Sequence, residues 1–286
     1  MLCLCLWAPA WAGSDSIEET AWVTSREVEI PLTLVRPDPG ETQTPLVVMA
    51  HGHGGSRDEG GGFKRLADLL AIEGIASVRM DFPGCGESLE PFSANTIDHM
   101  LSDMVAARDF ALGQPAIDAG RVALLGYSMG GRLAMLSVAD GFPYASLALW
   151  APAASDGPAD FYRFLGGPEQ YSDYRVRAAE LGSVIITTPW GQQQQLSLDW
   201  FTGLEESQPL QTVSSYSGLV LVLHGTADEI IPPSHSAAIS QQLPQAERRL
   251  VEGAEHGLGF YNDDPESAQL ILQETTRFFV RTLLPP

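Results

Sequence analysis

Short apolar runs alternate along the chain with longer segments in which apolar residues recur every three or four positions. Short continuous apolar runs are typical of strands buried on both faces of a sheet, and the longer period is typical of amphipathic helices. The runs predict strands at 45–50, 75–80, 122–125, 147–150 and 219–223. Alternating apolar positions predict a strand at 28–35, and a last strand is predicted at 249–251. The helical period predicts helices at 63–73, 96–112, 129–139 and 265–283.

Strands and helices that alternate in this way predict βαβ units and a mainly parallel sheet with helices on both faces. We therefore expect an α/β fold with a core formed by residues 22–152 and 213–286. The alternation is interrupted at 153–212, a segment rich in phenylalanine, tyrosine and tryptophan. An aromatic insertion between two sheet strands is typical of a lid over a binding cleft. The alternative is a packed surface excursion that only enlarges the core.

Residues 1–12 carry no charge and end in Ala-Trp-Ala, which has the small-residue form of a signal-peptide cleavage site. No Lys or Arg precedes the apolar run, and this departs from the usual signal-peptide pattern. We expect this segment to be the remnant of a signal peptide and the protein to be exported, to the periplasm or outside the cell. The cytoplasm is the alternative. Twelve residues are too few to span a bilayer, and no other apolar segment of the sequence has the length required.

The composition is that of a globular protein, with 44% hydrophobic and 18% charged residues. Its 36 acidic residues outnumber 16 basic ones, which gives a formal net charge of -20. Because such a charge repels nucleic-acid phosphates and anionic lipid headgroups, we expect a small-molecule substrate and no nucleic-acid partner. The cysteines and histidines lack the spacing of a zinc site, and cleavage after residue 12 would leave Cys85 alone. No metal, cofactor or internal disulfide is expected.

The sequence Gly-Tyr-Ser-Met-Gly at 126–130 links a predicted strand to a predicted helix. This is the arrangement of a nucleophile elbow, a tight turn that holds a serine in strained backbone geometry above the sheet. Glycines two residues before and after the serine avoid a clash in that turn, and the helix N-terminus favours a developing negative charge. Ser128 is therefore the candidate nucleophile. The alternative is an ordinary strand-to-helix turn built from small residues.

A serine nucleophile needs a histidine base, and the base needs an acid that orients it. After a nucleophile elbow, the acid and then the base follow along the chain. Asp228 lies in the loop after a predicted buried strand, and His256 lies between the last predicted strand and the last predicted helix. We predict that Ser128, Asp228 and His256 are the catalytic residues. Glu229 and Asp156 are the alternatives for the acid.

Two backbone N–H groups must stabilise the oxyanion that forms when a serine attacks a carbonyl carbon. One is expected from Met129, the residue after the nucleophile. The other is expected from His53, in the loop His-Gly-His-Gly-Gly-Ser at 51–56, because glycines let a backbone approach a substrate closely. A glycine-rich loop can instead bind phosphate. This loop, however, lacks the Gly-Lys-Ser/Thr and Gly-x-Gly-x-x-Gly patterns of phosphate-binding loops.

The motifs and their order along the chain resemble the α/β-hydrolase superfamily. The segments that carry the resemblance are His-Gly-His-Gly-Gly at 51–55, Asp-Phe-Pro-Gly-Cys-Gly-Glu-Ser at 81–88, Gly-Tyr-Ser-Met-Gly-Gly at 126–131, His-Gly-Thr-Ala-Asp at 224–228 and Gly-Ala-Glu-His at 253–256. Within the superfamily, the chain from about residue 28 to 283 resembles small bacterial esterases that include the feruloyl esterases. Those feruloyl esterases often have Gln where this chain has Met129.

The resemblance implies an α/β-hydrolase fold with a lid between the strand ending near Trp150 and the strand starting near Leu219. It also implies a serine hydrolase that cleaves a carboxylic ester with a short-chain or aromatic acyl group and forms an acyl-enzyme. Peptidases share this fold and these catalytic residues, so a serine peptidase or aminopeptidase is one alternative. A non-catalytic binding protein on the same scaffold is the other.

Overall fold

The structure, a computed structural model, describes residues 16–38 and 43–285. The signal peptide predicted at 1–12 lies outside the described residues. The strands are β1 (Ser16–Ser25), β2 (Val28–Pro37), β3 (Thr44–Ala50), β4 (Ala76–Met80), β5 (Ile117–Tyr127), β6 (Ser146–Trp150), β7 (Ser183–Thr187), β8 (Gln193–Ser197), β9 (Leu219–Gly225) and β10 (Glu247–Val251). Eight of them form one sheet in the order β1-β2-β4-β3-β5-β6-β9-β10, and β7 and β8 form a separate antiparallel pair.

Within this sheet the strands from β4 to β10 pair in parallel, and the β1–β2 and β2–β4 pairs are antiparallel. The prediction of a mainly parallel sheet is therefore confirmed. Because parallel strands end on the same side of a sheet, the loops after β3, β5, β9 and β10 meet at one edge. Each predicted site residue except Asp156 lies just beyond one of these four strands.

The helices are α1 (Gly62–Ile72), α2 (Ile97–Leu112), α3 (Met129–Ser137), α4 (Ala159–Phe164), α5 (Pro168–Leu181), α6 (Leu198–Glu206), α7 (Pro209–Val213), α8 (Ser234–Gln242) and α9 (Pro265–Leu283). Helices α1 and α9 pack on one face of the sheet, and α2 and α3 pack on the other. Helices on both faces were predicted, and this is confirmed. Among the helices of the described residues, none combines the length and the apolar character needed to cross a membrane.

The hydrophobic core is divided by the sheet into two layers. In β5, Leu124 packs with residues of α2 and α3, and the adjacent Leu125 packs with residues of α1 and α9. Both side chains are buried, because successive side chains of a strand point to opposite faces and both faces are covered. This is why the strands at the centre of the sheet are continuously apolar in the sequence.

In the main sheet, β1 and β5 differ most from the sequence prediction, and β7 and β8 in the insertion were not predicted. β1 (Ser16–Ser25) was not predicted, and the sheet begins at Ser16 rather than within a core that starts at residue 22. It is an edge strand of mostly polar residues and only Ser25 is buried, so it lacks the apolar run that marks the central strands. β5 begins at Ile117 rather than at 122. Ile117 is buried, but Ala119 and Gly120 are exposed, so the added length has no continuous apolar run.

The segment between β6 and β9 forms α4 to α7 and the β7–β8 pair. Trp200 and Phe201 of α6 are buried in the same hydrophobic layer as α2 and α3, so the segment enlarges the core. It is also tied to the core by an ion pair between Arg132 of α3 and Asp160 of α4, with both side chains fully buried. The boundaries of the insertion at residues 153 and 212, which separate it from the core, stay a prediction.

Candidate active site

A tight turn between β5 and α3 presents Ser128. The residue has φ 53° and ψ -115°, a backbone conformation that L-residues rarely adopt. A Cβ atom added at Gly126 would lie 2.1 Å from the carbonyl oxygen of Gly130, and one added at Gly130 would lie 1.9 Å from that of Ala50. No side chain fits at either glycine. The turn therefore requires glycine at both positions, and it holds the serine in the geometry that the sequence motif predicts.

The structure brings Ser128, His256 and Asp228 together in one row. Nε2 of His256 lies 3.0 Å from Oγ of Ser128, and Nδ1 of the same ring lies 2.7 Å from Oδ2 of Asp228. Because a carboxylate can only accept, we assign the ring proton to Nδ1, which leaves Nε2 free to accept the serine proton. The ring is thus oriented for proton transfer from Ser128.

Asp228 is held in a buried position at the end of β9. Its Oδ1 atom accepts hydrogen bonds from the backbone N–H groups of Ile230 and Ile231, at 2.9 and 2.8 Å. Nε2 of the buried His224 lies 3.2 Å from Oδ2. Burial opposes ionisation of Asp228, but hydrogen bonds from His224 and His256 outweigh it and hold the pKa of this carboxyl well below its ordinary value. A permanent negative charge therefore faces His256.

The two alternative acids lie elsewhere. Glu229 is exposed, and its neighbour Asp228 occupies the position beside His256. Asp156 is also exposed, and its carboxylate accepts the backbone N–H groups of Leu210 and Gln211 near the start of α7. The geometry supports Asp228 over both as the partner of the histidine.

The loop after β3 carries His53 beside the nucleophile. In the described part of the chain, the backbone N–H groups of His53 and Met129 donate to no protein acceptor. The His53 side chain points toward the insertion, and its Nε2 lies 2.7 Å from Oε1 of Gln194 in β8. Burial lowers the pKa of His53 to about 4, despite the opposing hydrogen bond to Gln194. The imidazole is therefore neutral at pH 7.

A cavity of about 580 Å³ opens above Ser128. One side is formed by His53, Tyr127 and His256, and the other by aromatic residues of the insertion. The insertion contributes Phe161 and Phe164 of α4, together with Trp190, whose ring stacks on that of Phe164 at 5.4 Å between centroids. The cavity is thus mostly apolar, with the serine and histidine at its base, as in many small-molecule sites.

Other chemically reactive side chains serve the structure of the loops. His51 accepts a hydrogen bond from the backbone N–H of Phe82 and contacts the carbonyl of Gly52, so it links the loops after β3 and β4. Burial raises the pKa of the Cys85 thiol to about 12, and its side chain does not line the cavity. Among residues 16–38 and 43–285, no three His, Cys, Asp or Glu side chains are placed to bind one metal ion.

Three residues around the site were not singled out by sequence reasoning. Glu59 and Tyr261 lie in the cavity wall and contact each other, although they are far apart in the chain. Gln194 contacts His53 from the insertion. None of the three belongs to a motif. Only Glu59 has a sequence signal, because it is a carboxylate that follows the glycine-rich loop.

Comparisons with known proteins agree with this architecture. The model of the alpha/beta hydrolase family matches residues 47–268. An uncharacterized protein of Mycobacterium tuberculosis is 26% identical over 240 residues, which are 83% of this chain and 70% of the relative.

Two solved structures have a similar fold. Est1E from Butyrivibrio proteoclasticus, determined with ferulic acid bound, has a TM-score of 0.76 and 21% identity over 93% of this chain and 100% of that one. A monoacylglycerol lipase from Paleococcus ferrophilus has a TM-score of 0.67 and 18% identity over 89% of this chain and 100% of its own. At these identities the likeness shows the shared fold.

Proposed function

Because the chain belongs to the alpha/beta hydrolase family, we propose that it is a serine hydrolase that cleaves carboxylic esters with Ser128, His256 and Asp228. The observation that carries the proposal is the 3.0 Å contact between Nε2 of His256 and Oγ of Ser128. The serine of this contact is held in the tight turn with φ 53° and ψ -115°, a strained backbone conformation. Strain of this kind persists where the surroundings hold a reactive group in place.

In the first step, Oγ of Ser128 attacks the ester carbonyl carbon as its proton passes to Nε2 of His256. Nδ1–H of the imidazole donates to Asp228, whose negative charge stabilises the imidazolium that forms. The N–H groups of His53 and Met129 donate to the oxyanion. Loss of one such donor in comparable enzymes lowers kcat by roughly 10²- to 10³-fold.

The tetrahedral intermediate collapses when His256 gives its proton to the oxygen of the departing alcohol. The C–O bond breaks, the alcohol leaves, and the acyl group remains as an ester on Ser128. A water molecule then attacks this acyl-enzyme while His256 accepts one of its protons. Return of that proton to Oγ releases the carboxylic acid and restores the free serine.

The substrate we propose is an uncharged ester with a short-chain or aromatic acyl group. The cavity wall above Ser128 is largely apolar, and Phe164 and Trp190 present a stacked pair of rings to it. An aromatic acyl group can pack against such rings with favourable offset or edge-to-face geometry. The net charge of -20 disfavours anionic substrates. In this proposal the insertion acts as the lid that shapes the acyl site.

Hydrolysis of a small substrate panel tests this function. Wild-type protein and Ser128→Ala are assayed with p-nitrophenyl acetate, p-nitrophenyl butyrate, methyl cinnamate and leucine p-nitroanilide. The proposal predicts ester cleavage by the wild type, little cleavage of the anilide, and loss of activity in Ser128→Ala. Preferential cleavage of the anilide would instead indicate a peptidase. Wild-type protein that cleaves none of the four would contradict the esterase function.

A further inference from the structure

A buried carboxyl group lies in the cavity wall and has no part in the mechanism above. Glu59 is only 2% exposed and lies in the loop after β3 that also carries His53, where it contacts the loop that carries His256. We propose that Glu59 is a positioning residue that holds these two loops in a fixed relation, and with them the oxyanion donor and the catalytic base. The inference deepens the proposed function and rests on it.

The first contact of Glu59 lies within its own loop, beside the proposed oxyanion donor His53. The backbone N–H of Gly52 donates to Oε2 of Glu59 at 2.6 Å. Gly52 directly precedes His53, so this bond anchors the backbone next to the N–H group that is proposed to bind the oxyanion. The loop lies close to the carboxylate, because a Cβ atom added at Gly55 would lie 3.1 Å from Oε2. Glu59 therefore fixes the backbone that presents the His53 N–H.

The second contact is with the loop that carries the base. The hydroxyl group of Tyr261 donates to Oε1 of Glu59. Tyr261 packs closely against Gly257, the residue after His256, since a Cβ atom added there would lie 3.1 Å from Cβ of Tyr261. A neighbouring bond supports the same loop, because the Tyr127 hydroxyl donates to the backbone carbonyl of His256 at 3.2 Å. One carboxylate thus joins the two loops on either side of Ser128.

The backbone at Glu59 is arranged to make these contacts. Glu59 has φ 45°, in the left-handed region that residues with a side chain seldom occupy, and Gly60 and Gly61 follow with φ 58° and 84°. The turn is closely packed against the second loop, because a Cβ atom at Gly60 would lie 2.9 Å from the carbonyl oxygen of Phe260. Strained backbone that persists in a cavity wall is a common mark of a functional constraint.

The electrostatic setting of Glu59 also argues against a role in packing alone. In the described part of the chain, its two hydrogen-bond donors are the neutral Gly52 N–H and Tyr261 hydroxyl, and no Arg or Lys pairs with it. A buried carboxylate without a cation is costly, and an apolar side chain of similar size avoids that cost. The carboxylate is well suited to one task here, since it accepts two donors from two different loops at once.

The test measures kcat, KM and stability for Glu59→Ala, Glu59→Gln and a control. Asp103→Asn is the matched control, because Asp103 is also a buried carboxyl, but it accepts from Ser25 and Arg26 away from the cavity. With p-nitrophenyl butyrate, we expect Glu59→Ala to lower kcat about 100-fold and to change KM by less than about threefold, since a misplaced catalytic group costs that much. Glu59→Gln, which keeps one acceptor and gains a donor, should stay within about tenfold of wild type.

Several results would overturn the inference. A folded Glu59→Ala with wild-type kcat would do so, as would an equal loss of kcat in Asp103→Asn, which would indicate general destabilisation. If Glu59→Ala does not fold, Tyr261→Phe decides, because it removes only the bond to the second loop. We expect a loss in kcat of about tenfold there, and an unchanged kcat would contradict the inference.

A second measurement separates this inference from the proposed function. The rate at which a fluorophosphonate labels Ser128 depends on the base and the oxyanion donors but needs no ester substrate. If the wild type cleaves no ester, the proposed function fails, and the labelling rate still tests Glu59. We expect that rate to fall in Glu59→Ala and to be unchanged in Asp103→Asn. Equal rates in wild type and Glu59→Ala would reject the positioning role.

Discussion

Oδ2 of Asp228 lies 2.7 Å from Nδ1 of His256, and the other oxygen of this carboxylate accepts two backbone N–H groups. The backbone bonds leave Oδ2 pointing at the histidine. The acid is therefore fixed before the histidine becomes charged, and the charge is stabilised without a rearrangement of the carboxylate.

Substitution Asp228→Asn tests this relationship. The amide keeps the size of the side chain but removes the charge, and its NH₂ group favours the tautomer of His256 that carries its proton on Nε2. That tautomer cannot accept the proton of Ser128. We expect kcat for a p-nitrophenyl ester to fall by roughly 10³- to 10⁴-fold with a small change in KM. The exposed neighbour provides the control, and a comparable loss in Glu229→Gln would contradict the assignment of the acid.

The raised pKa of Glu59 predicts how the stability of the protein depends on pH. Burial raises its pKa from 4.5 to about 7, although hydrogen bonds from Tyr261 and Gly52 oppose the rise. The folded protein therefore binds this proton more tightly than the unfolded chain does. The resulting stabilisation of the folded protein is complete below about pH 4.5. It is lost as the pH rises through about 7, and the free energy of unfolding then falls by about 3 kcal/mol.

Glu59→Gln removes this ionisation, so its advantage over wild type should appear only at higher pH. We expect similar unfolding temperatures for the two proteins at pH 5 and a higher unfolding temperature for the variant at pH 8. Circular dichroism melts at both pH values provide the measurement. A variant that is equally destabilised at pH 5 and pH 8 would show that Glu59 does not titrate in this window.

The stacked pair of Phe164 and Trp190 predicts a preference among acyl groups. Trp190→Ala removes one ring from the cavity wall and leaves the contact between Ser128 and His256 in place. We expect kcat/KM for a cinnamate ester to fall about tenfold, because an aromatic pair and its buried area together contribute about 1–2 kcal/mol. The value for the acetate ester should stay within about twofold. Trp22→Ala, at an exposed position on edge strand β1, is the control and should change neither.

The comparison of acetate and cinnamate cleavage by Trp190→Ala tests only where the acyl group binds. An equal loss for acetate and cinnamate in Trp190→Ala would mean that the ring supports the fold rather than the acyl group. A preference for cinnamate that survives the substitution would place the aromatic acyl group elsewhere in the cavity.

The sequence predicted the central elements because buried parallel strands are continuously apolar. β3, β5, β6 and β9 each contain such a run, and the glycines at 126 and 130 mark a turn that no other residue fits. β1 could not be predicted in this way, since an exposed edge strand has little reason to be apolar. The edge position, which is a property of the assembled sheet, explains its composition.

The surroundings of the site were less predictable than its three central residues. The order of Ser128, Asp228 and His256 follows from the fold, because each lies in a loop after a parallel strand. The contact between Glu59 and Tyr261 joins residues 202 positions apart, and the contact between His53 and Gln194 joins residues 141 apart. Pairings at such separations have no local pattern in the sequence and arise only when the loops and the insertion are packed together.

If Ser128 is the nucleophile, it becomes acylated during turnover. Wild-type protein is mixed with p-nitrophenyl butyrate, quenched with acid during turnover, digested and analysed by mass spectrometry, with Ser128→Ala treated in parallel. We expect a butyryl group on the peptide that contains Ser128, and neither this adduct nor turnover in Ser128→Ala. Turnover by the wild type without acylation of that peptide, or turnover that persists in Ser128→Ala, would contradict it.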